Sequence, residues 1–172
     1  MSFLPSPIKI SQHGNITMIG TTGLFNIPVF VPVATSVVLH LGQSGGSNAN
    51  GASGHQIRVR LNGQVGVNWT TVTAILGDIP VLPKTADFII IEFYKAVLRS
   101  AIQFFSVDGN ANQVISAVNV NKTVLIPAGK STLDTTTNPL VTSSKIRLTS
   151  STNVNVVQDV LGSTQFYVVE FK

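Results

Sequence analysis

The chain has 172 residues, of which 44% are hydrophobic and 10% charged, and a formal net charge of +4. That is enough apolar material to bury a core, and too few charges for a disordered acidic or basic tail. Cysteine is absent, which excludes disulfides, zinc–thiolate centres and cysteine nucleophiles. No run approaches the ~18 apolar residues of a membrane helix. The 11 basic residues are scattered, without the interleaved aromatics that hold single-stranded nucleic acid. The expected partners therefore include no nucleic acid, no membrane and no cofactor.

The opening residues, Met1-Ser2-Phe3-Leu4-Pro5-Ser6-Pro7, lack a basic stretch followed by an apolar one, so synthesis in the cytoplasm is expected. Ile8 to Gln12 reads as a first strand. Val29, Val31 and Val33 alternate with Pro28, Phe30 and Pro32. Proline cannot donate to a ladder, so this segment is expected at a sheet edge, only partly paired. Val37-Val38-Leu39-His40-Leu41 reads as a buried strand. A loop made mostly of Gly, Ser and Asn follows, over 42–54. Ile57-Arg58-Val59-Arg60-Leu61 alternates as a half-buried strand does. Val67, Trp69 and Thr71 share one face of the next strand, and Trp69 is expected as a core anchor, whereas an exposed Trp69 would suggest a sugar platform or an interface hot spot. Phe88-Ile89-Ile90-Ile91-Glu92-Phe93-Tyr94 is apolar on both faces. Residues 94–105 fit a helical stripe or a broken strand. Turn signals stand at Asn62-Gly63, Gly77-Asp78, Asp108-Gly109-Asn110 and Asn138-Pro139.

The chain repeats itself, and the repeat decides for the broken strand. Phe88-Ile89-Ile90-Ile91-Glu92-Phe93 resembles Phe166-Tyr167-Val168-Val169-Glu170-Phe171. Ile57-Arg58-Val59-Arg60-Leu61 resembles Ile146-Arg147-Leu148. Residues 36–42 resemble 123–129, and 8–12 resemble 97–103 with a gap. Four matches in one order imply a tandem duplication. The predicted fold class is all-β, with two tandem, homologous β-sandwich or barrel-like units packed together. The first spans 1–95 and the second 96–172, with no flexible linker between them.

Beyond the repeat, "IEFYKAVLRSAIQFFSV", "ISAVNVNKTVLIPAG" and "SKIRLTSSTNVNVVQDVLGSTQFYVVEFK" resemble small β-rich virion proteins of tailed bacteriophages. These run a "VIEF" strand into "VKSIQ", then "INAVNTNKTVV", "VRLTNSTTVTA" and a terminal "VVEF". Residues 91–172 carry most of the likeness, and Phe104-Phe105-Ser106 departs from the usual Thr-rich strand. The resemblance implies a virion structural protein, a capsid decoration or head/tail accessory subunit that binds other virion proteins and forms a homo-oligomer. The alternative is a receptor- or carbohydrate-binding module of a fibre or tail tip, with a host surface glycan as ligand. The motifs are framework strands and transfer no functional residues.

Chemical signatures are weak. Gly129-Lys130-Ser131 ends like a phosphate-binding loop, but Val124 stands where that loop needs glycine, and 135–139 will not form the following helix. His13, His40 and His55 form no metal-ligand spacing. Glu92 and Glu170 fall at one repeat position in apolar strands. They read as buried acceptors for Arg58 and Arg147 that hold register, rather than a carboxylate pair facing one cleft. No GxSxG elbow occurs, and the three Asn-X-Thr triplets mean nothing without export. An enzyme is not expected. Long loops on rigid scaffolds carry binding. The candidate interaction residues are therefore Gln43, Ser44, Ser47, Asn48, Asn50 and His55 in the first unit, and Lys130, Asp134, Thr136 and Asn138 in the second.

Overall fold

The computed structural model describes residues 6–45, 57–75, 83–132, 144–158 and 162–172. In chain order the strands are β1 (Ile8–Met18), β2 (Thr22–Pro32), β3 (Ser36–Gly45), β4 (Arg58–Val65), β5 (Asn68–Ile75), β6 (Lys84–Phe93), β7 (Gln103–Asp108), β8 (Ala111–Val114), β9 (Thr123–Thr132), β10 (Ser144–Ser150), β11 (Asn153–Gln158) and β12 (Gly162–Glu170). Among the described residues there is no α-helix, and short 3-10 turns precede β3, β7 and β9. The fold is all-β.

The first six strands form two antiparallel sheets, β1-β6-β3 and β2-β5-β4. The last six form β7-β12-β9 and β8-β11-β10 in the same order. Within each set the sheets meet at both sides, β1 against β2 and β3 against β4, then β7 against β8 and β9 against β10. Each unit is thus a small barrel-like sandwich, with β6 or β12 as the central strand of one sheet.

The likeness extends to irregularities. Leu41 bulges out of β3 between the pairs His40–Phe88 and Gly42–Asp87. Ala128 bulges out of β9 between Pro127–Phe166 and Gly129–Gln165. A bulge turns one side chain away from the regular alternation, so Leu41, expected inside, is exposed. Gln12 lies opposite Ile90, and Gln103 opposite Val168. Each pins a backbone segment with two hydrogen bonds: the Gln12 amide accepts from Val29 N (3.1 Å) and donates to Val29 O (2.7 Å). The Gln103 amide accepts from Ser116 N (2.8 Å) and donates to Ser116 O (3.3 Å). The sequence gap in this stretch is one residue, since Leu98 bridges Phe171 as Ile8 pairs with Phe93. The broken strand is what forms: a 3-10 turn at Lys95–Val97, then β7.

The proline-bearing β2 is an edge strand, and its ladder to β5 lapses between Asn26 and Val31, because Pro28 offers no N–H. The expected turn at Asn62-Gly63 falls inside β4. The chain reverses at Gly66-Val67 instead, while Gly63 adopts a positive φ (64°) within the strand. Trp69 is half-buried at the rim of the core, not a central anchor.

Among the described residues, two apolar clusters hold the strands together. One lies inside the second unit and includes Val107, Val154, Phe166 and Val168. The other joins Ile16, Val38, Val72, Phe88 and Ile90 of the first unit to Ala128, Tyr167 and Val169 of the second. Alternate residues of β12 therefore enter different cores, Phe166 and Val168 one way and Tyr167 and Val169 the other, which buries every residue from Ser163 to Glu170. Burying a side chain of this size stabilises by roughly 1.5–3 kcal/mol. Phe25 meets Phe88 edge-on in the first unit (5.2 Å), and Phe93 meets Phe171 edge-on across the seam (5.7 Å). Each such pair adds about 0.5–1.5 kcal/mol. The Tyr167 hydroxyl lies near the backbone of Val38 and Leu61 without a hydrogen bond of normal geometry, and burial pushes its pKa up.

Candidate interaction surfaces

The structure does not gather the sequence-derived loop residues into one site. Gln43 and Ser44 belong to β3, which runs on to Gly45, and are strand residues rather than loop residues. The Gln43 side-chain oxygen accepts from Ile57 N (3.0 Å), tying the end of β3 to the start of β4. Lys130 is likewise not on a loop. It is buried within the C-terminal part of β9, opposite Thr164. The same placement removes the phosphate-loop reading, since Gly129-Lys130-Ser131 is continuous strand within β9 rather than a loop. Ser47, Asn48, Asn50, His55, Asp134, Thr136 and Asn138 lie outside the described residues.

Glu92 and Glu170 are both buried, but their partners are not Arg58 and Arg147. Those arginines sit on β4 and β10, in the opposite sheet of each unit. The Glu92 carboxylate accepts from Lys9 Nζ at 2.8 Å, and Glu170 faces Arg99 Nε at 3.4 Å. Glu170 also accepts from Asn119 N (2.7 Å) and Ser100 Oγ (3.3 Å). A carboxylate whose lone pairs are taken by a backbone N–H, a hydroxyl and a guanidinium fixes the chain around it. Both cations stay about half exposed, at 46% and 59%, so they keep most of their hydration. The repeat alignment carried the missed signal: Lys9 and Arg99 fall at matching places in 8–12 and 97–103, and strand pairing puts each beside its glutamate.

His40 is half-buried on edge strand β3. Burial lowers its pKa, against smaller opposing effects from the Gly42 backbone and Asp87, and its Nε2 has no hydrogen-bond partner. His13 is exposed on β1. Among the described residues no group of three or more His, Asp or Glu is placed to hold a metal ion. A cavity of about 600 Å³ opens at the seam, lined by Thr35, Lys95, Arg99, Ser100 and Lys172 among others. Arg99 is already committed there to Glu170.

Sequence reasoning missed the outward faces of the β1-β6-β3 and β7-β12-β9 sheets. Matched positions on these faces have opposite exposures. Leu41 is 57% exposed and Ala128 0%; Val37 is 0% exposed and Val124 49%. Alternation within one strand cannot reveal this, because what covers a face is the other unit. No protein-family model, curated protein or solved structure matches this chain.

Proposed function

We propose that the chain is a structural protein of a bacteriophage virion, a capsid decoration or head/tail accessory subunit that works by binding other virion proteins. The observation that carries this reading is a packed two-unit scaffold, poor in charge, that bears exposed aliphatic side chains. Leu24, Leu41, Val114 and Val124 are all exposed, and charged residues make up only 10% of the chain. Such a surface suits lasting contact with a neighbour better than passing contact with a solute. The strand-by-strand resemblance of residues 91–172 to phage virion proteins supplies the setting.

Sedimentation of the purified chain with DNA-free heads, and separately with tails, tests the proposal. Saturable pelleting with one of these particles is expected. Binding to neither, together with binding to host-cell polysaccharide, would replace it with the glycan-binding reading.

A further inference from the structure

The contact between the two units joins unlike patches. On the second unit the patch is the outward face of β9 and β12, with Ile126, the bulged Ala128, Gly129 and Tyr167. On the first unit it is the β3–β4 side, with Val37, Ile57 and Arg58. The approach is closest at Gly129, where a Cβ would stand 2.8 Å from Arg58 Cα and 2.9 Å from Ile57 O. Asp108 of β7 acts on Arg58 from across this contact. Because the patches differ, neither is used up by its own counterpart on the other unit.

Neither counterpart is fully covered: Leu39 and Ile89 are half-buried, and His13, Leu41 and Val124 are exposed. On the first unit, the row His13–Ile89–Leu39 stands where Phe104–Tyr167–Ile126 stands on the second. Beside it Leu41 is exposed, and a Cβ on Gly42 would meet nothing within 4 Å. Ile89 and Leu39 belong to neither core. On the second unit, Val124 is exposed where its match Val37 is covered. Nearby β10 presents Lys145 and Arg147 to solvent. The two open faces are also complementary in charge: exposed Asp87 flanks Leu41, at the position that Gln165 takes in the second unit, and the receiving side carries the cations.

We infer that copies of this chain bind one another head to tail. The outward β3–β6 face of the first unit in one copy seats on the β9–β10 side of the second unit in the next, using the faces that correspond to those of the internal contact, with Leu41 as the side chain that fills the wider gap. A contact between unlike patches builds a ring if the rotation closes and an open stack if it does not. The inference rests on the internal contact and stands apart from the virion reading.

Sedimentation velocity of the purified full chain, from micromolar to millimolar, tests it with no phage component present. Wild type is expected to form species larger than the monomer. Leu41→Asp disables the docking face, and Val124→Asp the receiving side. Each alone should be monomeric, with an unchanged far-ultraviolet spectrum and melting temperature. An equimolar mixture of the two should give a 1:1 dimer and nothing larger, since only one working pair of faces remains. Should either aspartate variant fail to fold, charge reversal replaces it: Lys145→Glu/Arg147→Glu should weaken assembly, and mixing with Asp87→Lys should restore it. A wild type that stays monomeric at millimolar concentration overturns the inference, as does a mixture that shows no dimer.

Discussion

Gly42 and Gly129 occupy the same place in two units of the same strand order, one residue past the same bulge, yet their surroundings are opposite. Gly42 faces open space, whereas Gly129 presses on the backbone of Arg58 at a φ of 112°. Next to them, large exposed Leu41 is matched by small buried Ala128. The comparison teaches that the scaffold is shared while side-chain size on its outward face is set by docking. Where two backbones meet, the chain uses alanine and glycine. Where the chain's own second unit does not reach, it keeps Leu41.

The sharpest way to break the comparison is to put the same side chain at both glycines. Gly129→Ala adds a backbone-directed clash to a left-handed conformation and should destabilise by about 2–6 kcal/mol in urea unfolding. Gly42→Ala should stay within about 0.5 kcal/mol. Equal losses would mean that the seam is not as close as described.

A smaller difference is expected between the two glutamates. Glu170→Ala strips a partner from Asn119 N, Ser100 and Arg99 and should cost about 2–4 kcal/mol. Glu92→Ala leaves a half-exposed Lys9 that can rehydrate, and should cost about 1–2 kcal/mol. Thermal melts of the two variants under one buffer check the order.

Two titrations sharpen the contrast further. Burial raises the Tyr167 pKa above its ordinary 10.0, so the folded chain holds a proton that the unfolded chain releases. The stability linked to this group is fully present below pH 10 and falls as pH rises beyond it, by up to about 1.4 kcal/mol per pH unit. Tyr167→Phe should remove that slope. By relieving a buried hydroxyl without a partner, it should also raise neutral-pH stability by up to about 1 kcal/mol. His40 works in the other direction and more weakly. Its pKa is lowered from 6.5, so its contribution is present above pH 6.5 and is lost as pH falls below that value. His40→Asn should flatten this acid limb in chemical denaturation across pH 4 to 7.

Much of the fold was legible because alternation and turn residues act locally. The all-β class and the edge character of the Pro28–Pro32 stretch follow from such signals, and the match of Gln12 with Gln103 needed only the repeat. What was not legible depends on contacts distant in sequence. Arg58 looked like a partner for Glu92 because it recurs in the repeat, but only sheet order shows that β4 lies in the other layer and that β1 supplies Lys9. Lys130 looked like a loop cation because Gly and Ser flank it. Its burial follows from β9 continuing to Thr132. Leu41 looked buried because it ends an apolar run, and the bulge turns it out.

The central claim is that two like units fold as one body, because Tyr167, Val169 and Ala128 of the second complete the core of the first. Scanning calorimetry of the full chain tests this most directly. A single transition is predicted, with calorimetric and van't Hoff enthalpies agreeing to a ratio of about 1. Two separable transitions, each with about half the total enthalpy, would contradict it.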